Sequence, residues 1–322
     1  MAPLRLGTRG SQLARWQAEA VAAALGALGH RAELVVIKTT GDRLQDAPLS
    51  EAGGKRLFVK DLEDALLRRE IDLAVHSAKD LPADTPEGLT IAAALAREDP
   101  RDALVLPSGH TARDFSSALA VLSDGTRRTV GTGSVRRISQ LAPQMPQAVF
   151  APIRGNVDTR LRKLDAGEFD ALVLACAGLR RLNLAGRISA ALPVDRCIPA
   201  PGQGIIVVET RADDPETSRI MRALHDEGAG VALAAERALV EALGGGCQLP
   251  LGALARLNGG RIEMDAIVCS LDGATAIRRH SRGSTGQPEL LGKRLADELV
   301  TGGAAAILDQ VRRDASPRNG GY

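Results

Sequence analysis

One cysteine of this chain sits where no core residue is needed. The segment Gly244-Gly245-Gly246-Cys247-Gln248-Leu249-Pro250 puts a thiol behind three glycines and ahead of a proline. The glycines let the backbone take positive φ and approach a ligand closely, and the proline stiffens the exit. A thiol displayed on such a loop is a candidate for covalent chemistry. The same residues also read as a Gly-rich turn after a helix at 231–243, with Cys247 an incidental small side chain, so the rest of the chain has to decide. A second candidate is Asp80, the only acid in His76-Ser77-Ala78-Lys79-Asp80-Leu81-Pro82. Beside a cationic cleft its carboxylate stays ionised and suits stabilising a developing cation or steering a proton at nitrogen. As a residue before Leu81-Pro82 it is equally a turn former. His76 reads as structural.

Ligands of open α/β sheets bind beyond the carboxyl ends of the strands, and here the loops at those ends are rich in charge. Thr8, Arg9 and Ser11 follow a strand at 4–7, Lys79 and Asp80 a strand at 72–75, and Thr132, Ser134, Arg136 and Arg137 a strand at 129–131. Arg154 and Arg160 follow 149–152, and Arg180 and Arg181 follow 171–175. Five such ends facing one cleft deliver about half a dozen guanidinium groups and two helix N-termini, a set suited to several carboxylates or phosphates. Each Arg pair alone is an ordinary solvated helix charge; convergence on strand ends is what separates these from surface decoration. Gly53-Gly54-Lys55-Arg56-Leu57-Phe58 lacks the Gly-Lys-Ser/Thr ending of a nucleotide P-loop, and no strand leads into it. It reads as a lid over an anionic ligand, with Lys55 and Phe58 facing inward.

The elements that carry these loops alternate. Strands at 4–7, 32–38 and 72–75 and helices at 12–28 and 59–69 form one α/β series. After the polar break Arg97-Glu98-Asp99-Pro100-Arg101-Asp102, strands at 129–131, 149–152 and 171–175 and helices at 135–141 and 159–166 form a second. The two echo each other: Leu6-Gly7-Thr8-Arg9-Gly10-Ser11 resembles Val130-Gly131-Thr132-Gly133-Ser134, and Glu70-Ile71-Asp72 resembles Glu168-Phe169-Asp170. From about 216 the pattern changes to a helix through 243, strands at 261–270 and 275–281, and one terminal helix at 287–312, followed by a tail at 314–322 expected to be disordered.

With 322 residues, a single small module is excluded. No apolar run approaches the ~18 residues of a membrane span, and the N-terminal stretch lacks the apolar core of a secretory signal, so a cytoplasmic location is expected. Cys176, Cys197, Cys247 and Cys269 show neither CxxC nor zinc spacing, so reduced thiols and no metal are expected. Net charge is only +2 and aromatics are 2% of residues, which argues against a nucleic-acid surface. Codon bias in a GC-rich genome accounts for most of the imbalance of 35 Arg against 6 Lys. Two rival classes stay open on these grounds: a solute-binding protein for an anionic ligand, and a cysteine-nucleophile hydrolase, the latter disfavoured by the lack of a His near Cys247.

Seven segments, in order, resemble the hydroxymethylbilane synthase family, also called porphobilinogen deaminases. They are Gly7-Thr8-Arg9; Gly53-Gly54-Lys55; Val75-His76-Ser77-Ala78-Lys79-Asp80-Leu81-Pro82; Gly131-Thr132-Gly133-Ser134-Val135-Arg136-Arg137; Arg154-Gly155-Asn156-Val157-Asp158-Thr159-Arg160; Pro199-Ala200-Pro201-Gly202-Gln203-Gly204; and Gly245-Gly246-Cys247-Gln248-Leu249-Pro250. The resemblance implies head-to-tail joining of four porphobilinogen molecules with release of ammonia, primed by a dipyrromethane held as a thioether on Cys247. It implies Asp80 and Lys79 as catalytic residues. Lys79, Asp80, Thr132, Ser134, Arg136, Arg137 and Arg160 would hold the cofactor; Arg9, Ser11, Gln17, Lys55, Phe58, Arg154, Arg181 and Gln203 would hold substrate. It also implies two doubly wound, periplasmic-binding-protein-like α/β domains, residues 1–97 with 199–215 and residues 98–198, plus an α+β domain at 216–322 carrying the cysteine, in a monomer. Glu51, Arg56 and Asp158 depart from the family pattern, where Lys, Gly and Gly respectively are common.

Overall fold

The computed structural model describes residues 2–39, 56–110, 112, 114–123, 125–245 and 249–315, the side chains of 56–58 and 315 excepted. Glu51, the Gly53-Gly54-Lys55 lid and Cys247 lie outside the described residues, as do the side chains of Arg56 and Phe58. The first sheet contains β1 (Leu4–Arg9), β2 (Ala32–Ile37), β3 (Leu73–Ser77), β4 (Leu89–Ala94) and β10 (Ile206–Arg211), in the order β2-β1-β3-β10-β4. Strands β1, β2 and β3 are parallel, and β10 runs antiparallel to β3 and β4. Helix α1 (Gln12–Ala27) covers one face, where Ala18, Val21 and Leu25 meet Leu6, Leu73 and Val75. Helix α2 (Arg56–Leu67) covers the other, where Leu62, Ala65 and Leu66 meet Ala74. The alternation of Leu73, Ala74 and Val75 between the two cores is the pleat of a strand buried on both sides.

The second sheet repeats the plan with β5 (Asp102–Val105), β6 (Thr129–Gly131), β7 (Val149–Ala151), β8 (Ala171–Ala175) and β9 (Ala190–Ala191), in the order β7-β6-β8-β5-β9. Strands β6, β7 and β8 are parallel and β5 is antiparallel to β8. Helices α3 (Phe115–Leu122) and α4 (Val135–Leu141) pack on one face, α5 (Val157–Asp165) and α6 (Cys176–Arg181) on the other. The motif echo has a physical counterpart. Asp72 accepts from Arg5 N at 2.9 Å and pairs with the Arg5 guanidinium at 2.8 Å, while Asp170 accepts from Thr129 N at 2.7 Å and pairs with Arg128 at 3.0 Å. In each sheet this aspartate ties the entry of the third strand to the entry of the first. Each sheet, with one antiparallel strand and helices on both faces, is a doubly wound α/β arrangement.

Helix α7 (Pro215–Arg222) follows β10, and then α8 (Glu227–Ala242) leads to an antiparallel meander of β11 (Leu251–Asn258), β12 (Arg261–Cys269) and β13 (Ala276–Ser284). Helix α9 (Pro288–Leu299) joins α8 on one face of that meander. The helix expected to end at 243 begins at Glu227, and a separate helix precedes it; Asp214 and Asp226 cap the two, accepting from Thr217 N and Ala229 N at 3.0 and 2.7 Å. Ile220 and Met221 of α7 bury themselves in the first core with Leu6 and Val21, so residues 216–222 stand with the first sheet rather than with the third unit. The terminal helix is also broken: Gly303 at φ 103° interrupts it within a loosened turn, Val300–Ala304, and α10 (Ala305–Ala315) continues. Asp314, expected in a disordered tail, belongs to that helix.

Glu236 of α8, fully buried, binds the three units together. It accepts from Arg97 Nη1 and Nη2 at 2.6 and 3.1 Å, from Gly202 N at 2.6 Å and from Ala255 N at 2.7 Å. Arg97 lies on the outgoing crossing between the two sheets and Gly202 on the returning one, so one carboxylate fixes both against the meander. No helix among the described residues is long and apolar enough to cross a membrane.

Candidate active site

Strands β1 and β3 pair in parallel, Leu6 opposite Leu73, so their carboxyl ends open side by side. Arg9 ends the first and Ser11 follows it. Ser11 caps α1, its Oγ accepting from Ala14 N at 3.3 Å. The second runs into a single 3-10 turn, Ala78–Asp80. Buried Gln17 of α1 donates to Ser77 Oγ at 2.8 Å and so fixes the start of that turn. From the other side the returning crossing presses against it. At Gly202, φ is +72° and a Cβ would lie 2.9 Å from the backbone of Ala78 and Lys79, so only glycine fits. Lys79 and Asp80 are half-buried.

A chain of polar contacts runs from this turn into the second sheet. Lys79 Nζ donates to Gln203 Oε1 at 3.4 Å, and Gln203 Nε2 donates to Pro100 O at 2.7 Å and Asp102 Oδ1 at 2.9 Å. Asp102, at the first position of β5, is fully buried. Arg136 Nη1 donates to its Oδ2 at 2.7 Å, and Arg137 Nε and Nη2 donate to its Oδ1 at 3.0 and 2.8 Å. Burial alone would raise the Asp102 pKa, but the two guanidinium groups and Gln203 hold it far below the usual carboxylate range. Arg136 and Arg137 are therefore no solvated first turn of α4; they are 5% and 8% exposed.

Strands β6 and β7 place the remaining groups at the same edge. Thr132 is buried and its Oγ1 accepts from Ser134 N at 3.2 Å; Ser134 stands half-buried at the start of α4 and its side chain makes no cap bond. Arg160 Nε donates to Gly155 O at 2.8 Å. Burial, and then repulsion from Arg137 and Arg154, pull Arg160 down to about 10. It is still charged at neutral pH, and it shares one field with the Arg137 and Arg154 guanidinium groups that repel it. Arg181 at the end of α6 donates to Gly204 O at 2.6 Å and lies 5.8 Å over the ring of Trp16, and burial pulls it down to about 10. Arg181, expected to hold substrate, is tied between α6, α1 and the returning crossing. A cavity of about 370 Å³ opens there, with Arg15, Trp16 and Arg181 in its lining and without Asp80 or Lys79.

The other cysteines are poor nucleophiles. Cys176, Cys197 and Cys269 are buried, and burial pushes the first two thiols up to about 12 and the third to about 11. The ends of the Cys247 loop are fixed. Arg312 of α10 donates to Leu243 O at 2.7 Å, Gly245 N donates to Val240 O at 2.9 Å, and Ala253 N donates to Pro199 O at 2.9 Å, which sets the start of β11 against the returning crossing. No group of His, Cys, Asp or Glu able to hold a metal occurs among the described residues. Sequence reasoning missed Asp102, Arg97 and Glu236. The one available signal for Asp102 was an acid directly before the apolar run Ala103-Leu104-Val105-Leu106.

The described residues bring buried guanidinium groups of the second sheet, through Gln203 and Asp102, into contact with the turn that carries Lys79 and Asp80. The family model "Porphobilinogen deaminase, dipyromethane cofactor binding domain" matches residues 4–219, and "Porphobilinogen deaminase, C-terminal domain" matches residues 231–301. The porphobilinogen deaminases of Syntrophobacter fumaroxidans and Desulforudis audaxviator are each 46% identical over 312 residues, covering 96% of this chain and 98% of the relative. That of Acidithiobacillus ferrooxidans is 46% identical over 311 residues, with the same coverage. Among solved structures, the Bordetella pertussis BvgS VFT2 domain aligns with a TM-score of 0.41 at 19% identity, over 73% of this chain and 91% of that one. The chain belongs to the porphobilinogen deaminase family. Its activity is the transferase reaction that assembles the linear tetrapyrrole hydroxymethylbilane from porphobilinogen, with a dipyrromethane cofactor. The solute-binding and hydrolase readings are thereby set aside.

Proposed function

We propose that porphobilinogen is activated at Asp80 while the strand-end arginines hold its carboxylates and those of a dipyrromethane anchored on Cys247. The observation that carries this reading is the continuous contact chain from the turn Ala78–Asp80 through Gln203 to Asp102 and the Arg136–Arg137 pair, beyond which Arg154 and Arg160 add charge. The residues present fit the cofactor: its rings carry acetate and propionate groups, and mutually repelling guanidinium groups are relieved by carboxylates. Three buried, high-pKa thiols leave Cys247 as the anchor.

When bound, the dipyrromethane supplies the free pyrrole α-carbon that acts as nucleophile. Substrate porphobilinogen loses ammonia from its aminomethyl group, and positive charge spreads onto its ring nitrogen. The Asp80 carboxylate stabilises that charge at the N–H. Lys79, Thr132, Ser134, Arg136, Arg137 and Arg160 hold the cofactor side, and Arg9, Ser11, Gln17, Lys55, Phe58, Arg154, Arg181 and Gln203 the incoming substrate. The enzyme works as a cytoplasmic monomer. Arg154→Gln tests the division of labour. The expected result is kcat/KM for porphobilinogen lowered about 10–100-fold, the scale of a lost charge-assisted hydrogen bond, with the cofactor adduct retained in the intact mass. An unchanged kcat/KM would remove Arg154 from the substrate set.

A further inference from the structure

We infer that Asp102 is a positioning residue that presets the Arg136 and Arg137 guanidinium groups for the cofactor carboxylates; the inference rests on the reading above that these two arginines bind the cofactor. Asp102 begins β5, the antiparallel strand of the second sheet, and its side chain is fully buried. Both of its oxygens are used, Oδ2 by Arg136 at 2.7 Å and Oδ1 by Arg137 at 2.8 Å and by Gln203 at 2.9 Å. A second set of bonds fixes each guanidinium in its plane: Arg136 Nη1 donates to Ile198 O at 2.8 Å and Arg137 Nη1 donates to Val173 O at 2.7 Å. Each fork is thereby set by two acceptors from different parts of the chain.

Packing alone does not explain such a group. Desolvating a carboxylate costs several kcal/mol, and apolar side chains of similar volume commonly replace buried ion pairs without loss of stability. The charge count points to a ligand as well: one carboxylate faces two guanidinium groups, which leaves one positive charge in excess before Arg160, repelled by Arg137, is added. Asp102 thus orients the two cations without neutralising them. A fork fixed before the anion arrives loses less conformational freedom on binding it. Through Gln203, which also accepts from Lys79, the same carboxylate keeps the forks in register with the turn that carries Asp80.

The test is the rate at which cofactor-free protein, made in cells unable to form porphobilinogen, gains the two-pyrrole mass when porphobilinogen is added. Asp102→Asn is expected to give folded protein, judged by circular dichroism, that loads about tenfold more slowly, the scale on which losing an orienting partner weakens a ligand-holding residue. Loading at the wild-type rate by folded Asp102→Asn, with Arg137→Lys slow, would overturn the positioning role and leave the arginine reading intact. If Arg136→Lys and Arg137→Lys both load at the wild-type rate, the arginine reading itself fails. Should Asp102→Asn not fold, Asp102→Glu keeps the charge and displaces the carboxylate, and folded protein with slowed loading is again expected. Wild-type loading by Asp102→Glu, or failure of both variants to fold, overturns the proposal in favour of a purely structural carboxylate.

Discussion

Asp80→Asn should give a folded enzyme that carries its two-pyrrole adduct and turns over porphobilinogen about 10²–10³-fold more slowly, the usual loss when one electrostatic stabiliser is removed from a reacting centre. The fold tolerates the change because the turn is held by groups other than this side chain. Ala78 N donates to Ile205 O at 3.0 Å, Leu81 N donates to Ala78 O at 3.2 Å, and Gly202 packs against the Ala78–Lys79 backbone. Asparagine keeps the shape and loses the charge that opposes the cation left when ammonia departs. Asp80→Glu keeps the charge and loses position, so its deficit is smaller. Single-turnover measurement of ammonia release distinguishes a slowed chemical step from slowed binding. Near-normal release in Asp80→Asn would remove this residue from the mechanism.

The largest stability effect is expected at Glu236. Its four hydrogen bonds reach Arg97, Gly202 and Ala255, and it is fully buried. Glu236→Gln leaves the Arg97 guanidinium, itself largely buried, without its counter-charge and turns one acceptor into a donor facing N–H groups. Breaking a buried pair from one side costs about 3–5 kcal/mol. The measurement is the denaturant midpoint of the adduct-bearing protein, with loosening of the three units expected to appear as earlier proteolysis at the crossings. A midpoint within error of wild type would show that the junction is held by packing alone.

Much of the candidate site was legible because its residues lie at or just after the ends of strands whose apolar runs are plain. Arg9 ends β1, Lys79 and Asp80 form the turn after β3, Ser134 caps α4, and Arg136, Arg137 and Arg160 lie in the helices after β6 and β7, while pairing of the parallel strands gathers the strand ends of each sheet at one edge. The internal repeat was visible in Asp72 and Asp170, which turn out to make the same bonds in the two sheets. What escaped was whatever depended on tertiary contact. Leu89-Thr90-Ile91-Ala92-Ala93-Ala94 carries little β-branched signal, and pairing with β10 is what makes it a strand. Arg97 and Asp102 sat in a stretch that read as a polar linker, and Glu236 in an ordinary helix. Their burial follows only from the return of the chain at 199–204, more than 90 residues after Asp102 (|i−j| = 101 for the bond to Gln203). The helix break at Gly303 falls at the pair Gly302-Gly303, a turn signal set between two stretches of helical periodicity.

In the proposed mechanism Cys247 is an anchor alkylated once and kept, with the chemistry at Asp80. Intact-mass spectrometry of the purified protein tests it most directly. The expected result is a mass above that of the polypeptide by two pyrrole units, stable to denaturation, and absent from Cys247→Ser together with the activity. Active protein at the unmodified polypeptide mass, or an adduct that persists in Cys247→Ser, would contradict the account.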